Sequence, residues 1–188
     1  MRITRSFVLW IGLTAACGEA TTFEDTQTLV AALDNETLLL GVELTNGEVD
    51  AYVCGDADRF QTFSRWYRGE LLGPEEFRIA VDDWVLEGRI EDDAQRIELR
   101  TPEGNAFEGA LSQIAADGRG GIFENNDFGC RSGAVLVPLD GEIVTQGARC
   151  IQDGLFDTQV TPVRLPEGPI ERFEAQAGDD SFFMDRVR

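Results

Sequence analysis

From Glu36 onward the chain alternates short apolar runs with turn residues, roughly every 8–12 positions, which is the pattern of an all-β fold. TLLLGVEL stops at Asn46-Gly47, a strong hairpin signal, and VDAYVC follows. FQTFSRWYRGELL reads as one longer strand, stopped by Gly73-Pro74. EFRIAV turns at Asp82-Asp83 into WVLEGRI, EDDA leads into QRIELRT, and PEGN into AFEGALSQIA. GIFEN comes next, and SGAVLVPL turns at Asp140-Gly141 into EIVTQGAR. The last predicted strand is QVTPVRLP.

Period-two alternation separates strand from helix in several of these runs. Phe77, Ile79 and Val81 share one face, with Arg78 on the other. Trp84, Leu86 and Ile90 oppose Glu87 and Arg89, and Ile97 and Leu99 alternate with Arg96 and Glu98. Gly69, Gly88 and Gly109 interrupt strand patterns, as glycines do where a sheet bends. The expectation is an all-β domain over residues 36–166, a single antiparallel meander of about ten short strands closed or nearly closed into a barrel. A two-sheet β-sandwich is the alternative. Residues 167–188 read as a C-terminal tail in which IERFEAQA forms a short helix and SFFM packs back.

The start of the chain follows a different pattern. Arg2 and Arg5 precede an apolar run from Phe7 to Leu13, shorter than the ~20 residues of a membrane span. A basic head, a short apolar core and small residues at its end describe an export signal. Thr14-Ala15-Ala16-Cys17 fits the small-small-small-Cys pattern of a bacterial lipobox, in which the thiol is acylated and the chain cut before it. The expectation is a signal peptide at 1–16 and a lipidated Cys17 opening a tether to residue 35, in which one apolar patch, Leu29 to Leu33, reads as a helical turn or a first strand. The membrane is then a partner through that lipid, whose acyl chains each contribute about 0.8 kcal/mol per buried CH₂. Gly18, rather than Asp, follows the cysteine, which favours the outer membrane. Plain secretion with an incidental Cys17 is the alternative.

Composition narrows the function classes. The 188 residues carry a formal charge of −19, and the segment 1–16 removes two arginines from that total, leaving −21. Such a surface repels nucleic acid, so no nucleic-acid partner is expected. All sixteen basic residues are arginine, and there is no histidine. That removes the usual general base, the commonest metal ligand and the histidine-dependent triads. No enzyme activity, metal or cofactor is expected. Asp56 with Asp58, and Glu124 to Asp127, offer oxygen donors for Ca²⁺, but turn formation explains both. A carboxylate-based hydrolase and a barrel carrier of a small apolar ligand stand as alternatives to a binding or structural role. Possible partners are an envelope protein or a small-molecule ligand.

With Cys17 acylated, Cys54, Cys130 and Cys150 remain for an oxidising compartment. A two-residue turn at Asp140-Gly141 makes paired positions sum to 281, and Cys130 and Cys150 sum to 280. A bulge brings them face to face, so this pair is favoured; a bridge from Cys54 to one of them is the other possibility. The densest polar-aromatic cluster is SRWYRG. There Arg65 and Tyr67 face one way and Trp66 and Arg68 the other, a possible ligand-facing set.

Six segments, AYVCG, TFSRWYRGEL, GGIFEN, CRSGAVLVP, GARC and QVTPV, spread from about Val49 to Val163, carry a family resemblance. The chain there resembles uncharacterised secreted or lipid-anchored bacterial β-domains, the hypothetical lipoproteins. The resemblance implies an export-associated, barrel-like module and assigns no catalytic residue.

Overall fold

The computed structural model describes residues 26–91, 94–115, 118–152 and 155–188. The signal-like segment, Cys17 and Gly18 lie outside the described residues. The strands begin with β1 (Gln27–Leu33), β2 (Leu38–Thr45) and β3 (Glu48–Gly55). A helical turn, α1 (Phe60–Phe63), precedes β4 (Arg65–Glu70). A meander follows: β5 (Glu76–Val81), β6 (Trp84–Glu91), β7 (Ala94–Arg100) and β8 (Ala106–Ala110), then the short β9 (Ser112–Ile114). The second half holds β10 (Gly121–Asn125), β11 (Ser132–Leu139), β12 (Glu142–Gln152) and β13 (Leu155–Gln159). It ends with β14 (Thr161–Arg164), β15 (Arg172–Ala177) and β16 (Asp180–Arg186).

The fold is all-β, with three antiparallel sheets. One has the order β4-β3-β2-β1-β9, another β5-β6-β7-β8. These two curl round a common core into a nearly closed barrel. A bridge between Leu71 and Phe77 joins β4 to β5, and the Leu111 amide donates to the Gln95 carbonyl at 3.0 Å beside β8. The seven-stranded sheet, β13-β12-β11-β10-β16-β15-β14, stacks on the outside of the barrel wall made by β1–β3. A barrel and a sandwich therefore share one wall.

That stacking gives three cores in layers. Inside the barrel lie Leu38, Leu40, Val42, Val53, Tyr67, Phe77, Leu86 and Leu99. Between barrel and seven-stranded sheet lie Leu39, Tyr52, Cys54, Ile122, Val135 and Val137. Beyond that sheet lie Phe123, Leu136, Phe173, Phe182 and Met184. β2 and β11 are buried on both faces, so their sequences are apolar runs rather than alternations. Two glycines let the layers approach. A side chain at Gly41 would meet Ile122 Cγ1 at 2.4 Å, and one at Gly133 would meet the Tyr52 ring at 2.5 Å. Gln146 crosses the same layer, accepting from the Leu39 amide at 3.1 Å and donating to the Glu36 carbonyl at 2.9 Å.

The hairpin turns lie at Asn46-Gly47, Asp82-Asp83 and Asp140-Gly141, all with positive φ, as two-residue turns of this kind require. Other expectations need correction. There are sixteen strands among the described residues rather than about ten: β1–β9 form the nearly closed antiparallel barrel, in which β9 returns to β1, and the seven-stranded sheet, in which β16 returns to β10, is added to it. The run FQTFSRWYRGELL is not one strand. Its first residues form α1, held by Arg59 and Ser64 amides donating to the Asp56 and Phe60 carbonyls, and Phe63 plugs the barrel end against Trp84 and Phe107. The tether does not reach residue 35, because β1 buries Leu29, Val30 and Leu33 in the sheet. Residues 167–188 are not a tail. In β15 Phe173, Ala175 and Ala177 are buried and alternate with exposed Arg172, Glu174 and Gln176, so the expected short helix is a strand.

Candidate functional site

β4 brings SRWYRG to the junction of barrel and seven-stranded sheet, and its alternation sends the side chains two ways. Tyr67 is fully buried in the barrel core, and the Arg65 guanidinium lies 4.3 Å from the centre of the Trp84 ring at the barrel mouth. Trp66 turns outward into the seam. Its ring stacks on Tyr52 at 4.6 Å between centroids, Arg131 covers it at 3.4 Å, and its Nε1 donates to the Arg131 carbonyl at 3.0 Å. Trp66 is therefore not a barrel-filling residue, whereas Phe77, Trp84, Leu86 and Phe107 are. Arg68 is largely exposed, 3.5 Å from Asp50.

Ser64, Arg65, Trp66 and Arg68 line a cleft of about 380 Å³ together with Arg131, Phe156 and Cys150. Asp82 and Val81 complete one side. The arginines differ in how their charge is used. Arg131 is mostly buried and saturated. It donates to Asp50 at 2.8 Å and pairs with Glu124 through Nε. Arg65 has no carboxylate within 4 Å among the described residues, and its buried Nη1 has no well-aligned hydrogen-bond acceptor. The buried Tyr67 hydroxyl faces the Arg65 guanidinium as a hydrogen-bond acceptor without good alignment. Burial pushes the Tyr67 hydroxyl up to about 12, opposed by the positive charge of Arg65 beside it.

Cys130 and Cys150 are joined by a disulfide, with Cα atoms 5.7 Å apart. Leu139 pairs with Glu142, and that register runs to Gly133 and Ala148. The β11–β12 ladder ends there; the Ser132 hydroxyl accepts from the Cys150 amide at 3.0 Å, and Cys130 reaches Cys150 from outside β11, while on its other edge β12 shifts register against β13 at Arg149 and Cys150. Cys54 is free, buried and 3.2 Å from the Ser64 hydroxyl. Burial pushes its thiol up to about 12, so it carries no thiolate at neutral pH.

On the other side of Arg68 lies a depression of about 540 Å³ that contains Glu43, Glu48, Asp50, Glu70 and Arg188. Glu43 is buried in β2, directly opposite Asp50 in β3. Thr28 Oγ1 donates to it at 2.8 Å. Burial raises its carboxyl to about 7, and the Asp50 charge adds to that rise. A third depression, about 630 Å³, covers the outer face of β5–β8. It is floored by ordinary cross-strand pairs, Arg78 with Glu87 at 2.6 Å and Arg89 with Glu76 at 3.3 Å. The oxygen-rich loops make turns: Asp56 accepts from the Asp58 amide at 3.2 Å, and Asn125 accepts from the Asp127 amide at 3.0 Å.

Sequence reasoning placed Arg65, Trp66, Tyr67 and Arg68 together and missed Arg131, Asp50 and Glu43. Glu43 had a signal, as a lone acid in the otherwise apolar LLLGVELT. Arg131 had none, since its partner Asp50 lies 81 residues away. The chain matches no protein-family model, no curated protein and no solved structure.

Proposed function

We propose that this chain is an exported, lipid-anchored binding domain of the bacterial cell envelope, held at the outer membrane through Cys17. The lipobox-like Thr14-Ala15-Ala16-Cys17 and the resemblance to hypothetical lipoproteins support the anchor. The Cys130–Cys150 bridge fits an oxidising compartment. The observation that carries the binding role is the seam cleft, a concave site with aromatic walls and convergent polar groups. A carrier of apolar ligands inside the barrel fits less well, since Phe77, Trp84, Leu86 and Leu99 fill that interior.

Two experiments test this reading. Metabolic labelling with a fatty acid should mark the wild-type chain and not Cys17→Ala, which should leave the membrane fraction; unchanged membrane association sinks the anchor. A fragment library screened by NMR should shift the Trp66 indole resonance, and no shift with any fragment sinks the binding role. A carboxylate-based hydrolase is the second reading, favoured by Glu43 facing Asp50 in one groove. It requires turnover of chromogenic glycosides that Glu43→Gln abolishes.

A further inference from the structure

An acidic protein gives its arginines many partners, so an arginine left without one is informative. Ten of the fourteen described arginines have a carboxylate within 4 Å. The four that do not are Arg65, Arg96, Arg119 and Arg164. Of these, Arg96, Arg119 and Arg164 are exposed, where water satisfies them, and only Arg65 is half-buried. Its buried Nη1 meets only the poorly aligned Tyr67 hydroxyl, and the remaining N–H groups of the guanidinium are left for an acceptor on the cleft side. The Trp84 ring stacks on the guanidinium, and stacking of this kind leaves the in-plane N–H groups available.

The surroundings indicate what that acceptor belongs to. Arg65 lines the seam cleft with Arg68, whose single contact to Asp50 is long at 3.5 Å. Arg131 contributes little free charge, since Asp50 and Glu124 hold it. Asp82 is the one acidic residue lining the cleft, and it stays beyond 4 Å of Arg65. Val81 and the edge of Trp66 supply apolar surface in the same cleft, since Tyr52 and Arg131 lie on the Trp66 ring and Phe156 is almost wholly buried. The guanidinium fork matches the geometry of a carboxylate or a phosphate.

We propose that the cleft is an oxyanion site: it takes a small organic acid, a carboxylate or a phosphate monoester on an apolar body, whose charged end pairs with Arg65 and Arg68 and whose body lies against Val81 and the edge of Trp66. This rests on the seam cleft being a binding site. It goes further by naming the ligand class and the residue that selects it. The overall charge of −19 slows the approach of anions, so the site selects by close contact rather than by long-range attraction.

The test uses the purified full chain with three probes of similar size: benzoate, phenyl phosphate and the neutral benzamide. Binding is read from tryptophan fluorescence and from the Trp66 and Trp84 indole NMR signals. Benzoate, phenyl phosphate or both should saturate the signal, which tells a carboxylate source from a phosphate source, while benzamide binds at least about tenfold more weakly. Arg65→Gln should weaken the anion by about tenfold or more, and Arg65→Lys should restore part of it. Arg68→Gln, at an exposed position that leaves the fold intact, should weaken it by about threefold and steepen no melting curve. Equal binding of benzamide and the anions, or anion binding indifferent to Arg65→Gln and Arg68→Gln, overturns the oxyanion site and leaves a neutral-ligand cleft standing. Failure of all three probes and of the fragment library overturns both.

Discussion

Two walls of the same barrel behave differently. The wall of β5–β8 has one face in the core and one in water, and its strands alternate apolar and charged residues. The wall of β1–β3 has a core on each side, and its strands are apolar almost throughout. An outward-pointing residue on the first wall is Arg78, paired with Glu87 and exposed to solvent. An outward-pointing residue on the second is Leu39, fully buried under the seven-stranded sheet. The lesson is that "outside the barrel" is not "outside the protein". The seam cleft lies where the two conditions meet, at the edge of the covered wall.

The comparison can be broken most directly at Leu39. Leu39→Ala should cost about 3–4 kcal/mol in urea unfolding, the range for a well-packed core leucine. A cost below about 1 kcal/mol would mean that the two halves are not packed as described. Next comes the bridge beside the cleft. Replacing Cys130 and Cys150 together by serine opens a span of 20 residues and should lower stability by about 3 kcal/mol, read from the shift in thermal midpoint.

Glu43, outward-pointing like Leu39, gives a smaller and pH-dependent effect. Its carboxyl is raised to about 7 in the fold against 4.5 when free. The folded chain thus holds a proton that the unfolded chain has released between those values. Stability from this group is full below about pH 4.5, falls as pH rises, and is lost above about pH 7. Glu43→Gln should flatten that slope and be more stable than wild type at pH 8 by on the order of 2 kcal/mol, measured by urea titration at pH 5 and pH 8. The smallest effect belongs to the solvent-facing wall: Arg78→Ala should change unfolding by less than about 0.5 kcal/mol, as exposed ion pairs do.

The same contrast explains what was legible in the sequence. Where a strand meets water on one side, its pattern states its face, and Phe77, Ile79 and Val81 are readable from spacing alone. The hairpin turns were equally legible, because Asn46-Gly47 and Asp140-Gly141 act through local backbone preference. β1 was legible only as an apolar patch that suited a helical turn or a first strand, since LVAAL carries no alternation once both its faces are covered. β15 alternates, but through Ala175 and Ala177, small residues that equally suit a helix. In the cleft, Arg65 through Arg68 were visible as neighbours in sequence. Their division between barrel mouth and seam became partly legible through alternation. The capture of Trp66 by Arg131 depends on one sheet docking on another, which no local pattern encodes.

The position of β16 has a consequence for how the chain is made. It is the last strand along the chain, yet it lies inside its sheet, bonded to β10 on one side and β15 on the other. β1–β9 can zip up while the rest is still emerging, because their partners are all early. β10 cannot; its second edge stays open, with unsatisfied amides and carbonyls, until the final strand arrives. Vectorial synthesis therefore leaves the second half sticky until β16 has emerged, and the step that ends this exposure is a long-range closure set by that seven-residue strand.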